Sequence, residues 1–200
     1  MNIHWSRIAR RIRVPLGFAF AIIFLWLAQP SPASLACSLL LVLPGIALRA
    51  YASGYVKKNR ELTVTGPYAY TRNPLYLGSM LIAAGFAVAL LSWPVALVLA
   101  VGFAIIYIPV IASEERFLRD TFPRFGNYCR AVPRIIPRIT PFRATSSPVE
   151  ASGQSPSSGG FSFALYRKHR EYNAVLGALL LYLSLLFLRP LLEAILPRAR

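Results

Sequence analysis

Long apolar runs separated by short polar breaks recur along the chain. Five of them approach the length of a bilayer-spanning helix: Val14 to Ala28, Ser34 to Leu48, Leu75 to Leu91, Pro94 to Ala112 and Tyr172 to Leu188. A crossing takes roughly 20 apolar residues, so the shorter runs need interfacial residues to complete it. The first two runs are joined by Gln29-Pro-Ser-Pro-Ala33 and the third and fourth by Ser92-Trp93-Pro94, uncharged turn-forming stretches that predict two helical hairpins. The expected fold is an all-α integral membrane protein of about five transmembrane helices.

Charge adds an orientation to this pattern. The chain carries 22 Lys and Arg against 7 Asp and Glu, a net charge of +15. Arg7, Arg10, Arg11 and Arg13 precede the first run, a second basic group lies between Arg49 and Arg72, and a third between Arg116 and Arg170. Only Arg189, Arg198 and Arg200 fall on the opposite side. The positive-inside bias then places the N-terminus in the cytoplasm and the C-terminus outside. The expected location is a bacterial cytoplasmic membrane, with the polar loops and any site they form on the cytoplasmic face. The basic start resembles a secretory signal, but no clear small-x-small cleavage pattern follows Leu27, so the first run reads as a retained helix.

Composition narrows the function classes. A chain that is 56% hydrophobic and 14% charged is not an ordinary soluble domain. Its basic residues cluster between apolar runs, with no aromatic-interleaved repeat, so membrane lipids rather than nucleic acid are the expected partner. Cys37 and Cys129 are too few for a disulfide framework, and His4 and His169 sit in basic flanks, so no metal site is expected. Ala144 to Gly160 is rich in Ser, Pro, Gly and Ala and reads as a flexible linker. It separates a core of four spans, residues 1–143, from residues 161–200. There FSFALYRKHREY, read as an interfacial anchor, leads into the last span.

Two polar stretches carry candidate chemistry. The first runs from Leu62 to Gly78 at the entrance to the third span. Gly66-Pro67 forces a turn, and Pro74 keeps Asn73 out of the helical region while suiting the first helical turn. Arg72 and Asn73 are thus held beside a helix N-terminus, a place that favours a carboxylate or other anion. The same arginine and the nearby Tyr68, Tyr70 and Tyr76 also suit interfacial anchoring, and the residue types alone leave both readings open. The second stretch, Glu114 to Pro137, opens on two adjacent acids where the fourth apolar run ends, and acids at such a boundary are functional candidates. Neighbouring helical positions point about 100° apart. One glutamate can therefore face a pocket while the other pairs with an arginine such as Arg119, four residues on. A solvated, salt-bridged helix end is the alternative.

In their order and their position against membrane helices, the two stretches resemble the isoprenylcysteine carboxyl methyltransferase and phospholipid methyltransferase superfamily. That pattern has a leucine-containing lead-in, G-x-Y and R-H-P-x-Y-x-G, followed later by E-E-x-x-L, F-G-x-x-Y and V-P-R-x-x-P. Here stand Leu62, Gly66-Pro67-Tyr68, Arg72-Asn73-Pro74-Leu75-Tyr76-Leu77-Gly78, Glu114-Glu115 with Leu118, Phe125-Gly126, and Val132-Pro133-Arg134 with Pro137. The resemblance, from Arg60 to Pro137, implies S-adenosylmethionine held between the motif loops at the cytoplasmic face. It implies Leu62, Thr63 and Tyr68 on the adenosine side, Asn73, Pro74, Leu75 and Tyr76 on the methionine side, and Glu114 on the cofactor's polar groups. Two departures stand out. Asn73 replaces a histidine usual in the prenylcysteine enzymes, and Val110 stands where they carry an arginine for the substrate carboxylate.

The expected activity is therefore methyl transfer from S-adenosylmethionine to a lipophilic acceptor, a carboxylate or amine of a lipid or prenyl-type substrate. Arg72 and Glu115 are the expected catalytic pair; the nearest candidate base for an amine acceptor is Glu115 or Glu114. An NADPH-dependent reductase of the sterol-reductase type is the rival enzyme. Its C-terminal core is similar around Tyr128-Cys129 and Val132-Pro133, although no nicotinamide fingerprint is evident. A non-catalytic membrane protein is the third reading. Oligomeric state and the identity of the acceptor are left open by the residues.

Overall fold

The computed structural model of the protein describes residue 25 and residues 27–57, 61–143 and 160–195. The N-terminal basic stretch, most of the first apolar run, the linker up to residue 159, and Arg198 and Arg200 lie outside the described residues.

Among the described residues the regular elements are helical. They are α1 (Pro32–Ser53), a 3-10 turn (Gly66–Ala69), α2 (Pro74–Leu90), α3 (Trp93–Thr121), α4 (Phe125–Ala131), α5 (Phe163–Lys168) and α6 (Tyr172–Leu183). A π-helical turn (Ser184–Leu188) then leads into α7 (Arg189–Ile195). Three helical stretches, Pro32–Ser53, Trp93–Thr121 and Tyr172–Leu192, are long and apolar enough to cross a membrane, which marks the chain as a membrane protein. Helix α2 is a shorter apolar helix of 17 residues. At 1.5 Å per residue it extends roughly 25 Å, a little less than the hydrocarbon thickness of about 30 Å.

Local chemistry explains the helix starts. Ser31 caps α1 in a reciprocal box with Ser34, its Oγ accepting from Ser34 N–H at 3.0 Å while Ser34 Oγ accepts from Ser31 N–H at 2.9 Å. Proline occupies the first turn of α1, α2 and α3, where its missing N–H has no helical partner to lose. The turn between α2 and α3 is tight, with Leu91 left-handed at φ 48°, as the Ser92-Trp93-Pro94 hairpin signal predicts.

Two helices run further than the apolar pattern suggests. Helix α1 continues past Leu48 to Ser53 and takes Arg49 with it. Helix α3 continues past Ala112 to Thr121 and carries Glu114 and Glu115, as the helical reading of that pair requires. Hydropathy stops at a charge, whereas a backbone does not unwind where the charged side chain is paired. Arg49 and Glu115 both are.

The helices alternate in direction. At one end, the start of α1 meets the end of α2: Ser34 Oγ donates to Ala89 O at 2.9 Å, and Gln29 N–H to Leu90 O at 2.8 Å. There too the Arg189 guanidinium donates to Ala28 O. The opposite end gathers the end of α1, the start of α2, the end of α3 and the start of α6, together with the basic loops. The apolar core of Val42, Phe86, Leu90, Val95, Ala178 and Leu185 fills the first end, and Ser38 and Tyr182 share a 2.6 Å hydrogen bond beside it. Without water to drive association, membrane helices hold together by close packing of small residues and by such polar contacts. Gly45 and Gly78 allow a close approach of α1 and α2: a Cβ on Gly45 would stand 2.8 Å from Gly78 O.

Gly45→Ala is therefore expected to force the two backbones apart and to lower stability by about 1–3 kcal/mol. Gly102, whose Cβ position meets nothing within 4 Å, gives the contrast. Gly102→Ala should be neutral or stabilising by up to about 1 kcal/mol through helix propensity alone. Thermal unfolding of both variants in one detergent checks the pair; equal midpoints would remove the close-approach argument.

Candidate active site at the charged end

The site begins with the turn at Gly66. Its φ of +59° is one that residues with a Cβ rarely adopt, and a Cβ there would stand 2.6 Å from the Tyr55 ring. The turn buries Tyr68, whose backbone oxygen accepts the Tyr128 hydroxyl at 2.6 Å. Burial pushes both tyrosine hydroxyls above their ordinary value of 10.0, so they stay protonated.

The V-P-R-I-I-P return segment is bound edge to edge to this loop. Arg72 N–H donates to Pro133 O at 3.0 Å, Arg138 N–H to Tyr70 O at 3.0 Å and Phe142 N–H to Ala69 O at 2.9 Å. The Thr71 hydroxyl reaches Arg134 O and Ile135 O, and Asn73 Nδ2 donates to Arg134 O at 3.0 Å. Asn73 thus faces the return segment and its side chain does not cap α2. Beneath the loop, Phe125, Tyr128 and Val132 form a small core with Leu62, Val64, Leu118 and Phe142.

Glu115 ties these segments to α3. Its side chain is 9% exposed, with Oε1 at 3.1 Å from Arg134 Nε and 3.3 Å from Arg72 Nη1, and Oε2 at 2.5 Å from Arg134 Nη2. The expectation of a pair within the helix, with Arg119, is corrected here. The partners come from two other segments because Glu115 faces inward beneath them. Arg72 also donates to Cys129 Sγ at 2.7 Å, while its Nε is buried and makes no hydrogen bond among the described residues.

The result is a cavity of about 390 Å³, within the range of small-molecule sites. All ten residues singled out from the sequence line it: Leu62, Thr63, Tyr68, Arg72, Asn73, Pro74, Leu75, Tyr76, Glu114 and Glu115. So do Arg49, Lys57, Glu61, Tyr107, Tyr128 and Glu171, which the sequence reading passed over. Tyr107 had a signal, since it lies seven residues before Glu114 and so on the same face of α3, about two turns away. Its ring packs against Tyr76 at 5.2 Å and stacks on Phe103 at 4.0 Å. Arg49 and Glu171 are 122 residues apart and carried no signal.

Four of the chain's seven acidic residues, Glu61, Glu114, Glu115 and Glu171, line this cavity, against three cations, Arg49, Lys57 and Arg72. Lys57 pairs with Glu61 and Arg49 with Glu171. Glu114 has no cationic partner among the described residues and approaches the Tyr76 hydroxyl. On a chain of net charge +15, the described lining is net negative by one.

Tyr128→Phe should leave Tyr68 O without its donor and cost about 1–3 kcal/mol. Because folding holds both tyrosines protonated, their contribution is full below about pH 10 and is lost as pH rises beyond it. The decline of the melting temperature above that pH should be shallower in Tyr128→Phe than in the unaltered protein; an identical alkaline limb would contradict the assignment.

Two metal-resistance proteins resemble the chain. The cobalt-zinc-cadmium resistance protein CzcN of Cupriavidus metallidurans is 40% identical over 97 residues, 48% of this chain and 44% of that protein. The nickel-cobalt-cadmium resistance protein NccN of Alcaligenes xylosoxydans xylosoxydans is 39% identical over 97 residues, 48% of this chain and 45% of that protein. The match thus spans less than half the length of these relatives. No solved structure matches the chain significantly. The phospholipid methyltransferase family model matches residues 44–124, the stretch that supplies α2, α3 and every cavity residue singled out from the sequence. The likeness to the phospholipid methyltransferase family thus covers residues 44–124 of this chain.

Proposed function

We propose that the protein transfers a methyl group from S-adenosylmethionine to a lipophilic acceptor at the membrane interface, with its charged end in the cytoplasm. The observation that carries this reading is the convergence of both motif stretches on one cavity in which acids, scarce elsewhere, are concentrated. The cofactor bears an ammonium and a sulfonium against a single carboxylate, and a net-negative lining complements that charge. Its carboxylate has matching groups in the start of α2, where Asn73 makes no side-chain cap, and in Arg72 Nε, which has no hydrogen-bond partner among the described residues. We assign the adenosine side to Leu62, Thr63 and Tyr68 and the methionine side to Asn73, Pro74, Leu75 and Tyr76. S-adenosylmethionine supplies, when bound, an electrophilic methyl group on sulfur.

The chain's own part is to hold, align and exclude water. The buried Tyr68 and Tyr128 keep the wall closed to solvent. Glu115 is already engaged by two guanidiniums, hydrogen-bonded to Arg134 through both oxygens and ion-paired with Arg72. We therefore give it the placing of Arg72 and give proton acceptance from an amine acceptor to Glu114, which lines the cavity with no cationic partner among the described residues. The residues that suggested a reductase, Tyr128, Cys129 and Val132, are engaged in hydrogen bonding and packing.

Basic residues crowd the cavity end, which supports a cytoplasmic placement by the positive-inside bias. With the run before residue 29 as a further span and α2 as a short one, the five-span arrangement follows. Methylation also offers a link to the metal-resistance names of the relatives. Esterifying a headgroup carboxylate removes a negative charge and so weakens the attraction of a membrane surface for divalent cations.

Calorimetric titration of the detergent-purified protein with S-adenosylhomocysteine, the product, tests the reading without knowledge of the acceptor. One-to-one binding in the micromolar range is expected. Glu114→Gln should weaken it by about tenfold or more, the worth of one charge-assisted hydrogen bond. Absence of binding in folded protein would reject the reading.

A further inference from the structure

One wall of the cavity comes from beyond residues 44–124 and beyond the linker. Glu171, at the start of α6, has a side chain only 12% exposed, and it grips Arg49 of α1 as a fork. Arg49 Nε donates to Oε2 at 3.1 Å, and Nη2 donates to Oε1 at 3.1 Å and to Oε2 at 2.8 Å. The remaining nitrogen of Arg49, Nη1, points the other way, donating to Leu75 O at 3.3 Å and to the Ser79 hydroxyl. Ser79 in turn donates to Leu75 O at 3.0 Å. Gly78 leaves the passage for this arginine: a Cβ there would stand 2.6 Å from Arg49 Cγ.

The segment leading to Glu171 is docked on the same end of α1. Ser162 N–H donates to Gly54 O at 2.9 Å, the Phe161 ring stacks on Tyr51 at 6.0 Å and occupies the space beside Gly54, and His169 Nδ1 lies 3.1 Å from Ser53 O. With the helix already held by these contacts, the fork has a narrower task. A carboxylate with two oxygens in the guanidinium plane sets the direction of a long side chain that otherwise has many rotamers.

We propose that Glu171 is a positioning residue of the cavity, aiming the Arg49 guanidinium at the first turn of α2 and so setting the place of the Leu75–Tyr76 wall. In this role the C-terminal helix is a working part of the site and not only an anchor. The proposal rests on the methyl-transfer reading for its consequence, cofactor affinity, but not for its geometry.

Four forms of the full-length protein in detergent test it: unaltered, Glu171→Gln, Glu171→Asp, and the reversed pair Arg49→Glu with Glu171→Arg. Hydrogen exchange of the α2 start reads the geometry, and S-adenosylhomocysteine affinity reads the consequence. Glu171→Gln should speed exchange there and weaken binding by about tenfold, since each hydrogen bond to a charged group is worth on the order of that factor. Glu171→Asp should recover part of both. The reversed pair separates aiming from anchoring: it restores an ion pair between α1 and α6 and hence the melting temperature, but a glutamate at 49 cannot donate to Leu75 O. Affinity should therefore stay low. Unchanged exchange and affinity in Glu171→Gln, or full recovery of affinity in the reversed pair, would overturn the proposal. If the unaltered protein binds no S-adenosylhomocysteine, the methyl-transfer reading fails, and exchange at the α2 start alone still decides whether Glu171 aims Arg49.

Discussion

Where the end of α3 passes beneath the motif loop and the return segment, the Glu115 carboxylate is shared between Arg72 of one and Arg134 of the other. A carboxylate taken out of water needs partners of this kind, and removing one side of a buried pair costs about 3–5 kcal/mol. The figure is smaller for Arg134, half of whose side chain is open to solvent. The geometric consequence is larger than the energetic one. Arg72 is bonded through its backbone to Pro133, and Asn73 through its side chain to Arg134. Fixing Glu115 therefore registers loop, return segment and helix against one another, and the cavity is the space they leave.

The two ends of the molecule are held by different physics. At the end away from the cavity, α1, α2 and α6 meet through small residues and hydroxyls, as helices in lipid must when water supplies no driving force. Outward-facing residues of α3 such as Ile105 and Ile108 remain exposed, as a lipid-facing surface requires. At the other end, ion pairs take over. Charges there lie near enough to water and phosphates to be tolerated, yet are shielded enough by the loops for pairing to fix direction.

The stretch matched by the family model and the rest of the chain divide the site between them. Residues 44–124 hold the loop, the start of α2 and the acid pair of α3. Closure comes from later residues: Tyr128 on the Tyr68 oxygen, Arg134 on Glu115 and Glu171 on Arg49.

Residue order alone determined the membrane character, the hairpin between α2 and α3 and ten of the residues that line the cavity. Each depends on local chemistry: apolar length, proline and glycine at turns, and acids where acids are rare. Leu62, Tyr68, Arg72, Asn73 and Glu114 were legible for that reason. Partners were not. Arg119 was the natural mate for Glu115 along the helix, but the side chain faces inward, where Arg72 and Arg134 arrive from other segments. Arg49 looked like the end of a span, and Glu171 like part of an interfacial anchor. Only the folded chain, in which α6 starts beside the end of α1, makes them a pair. Which charge meets which is decided by the packing of helices distant in sequence, because ion pairing depends on distance in space and leaves no periodic trace along the chain.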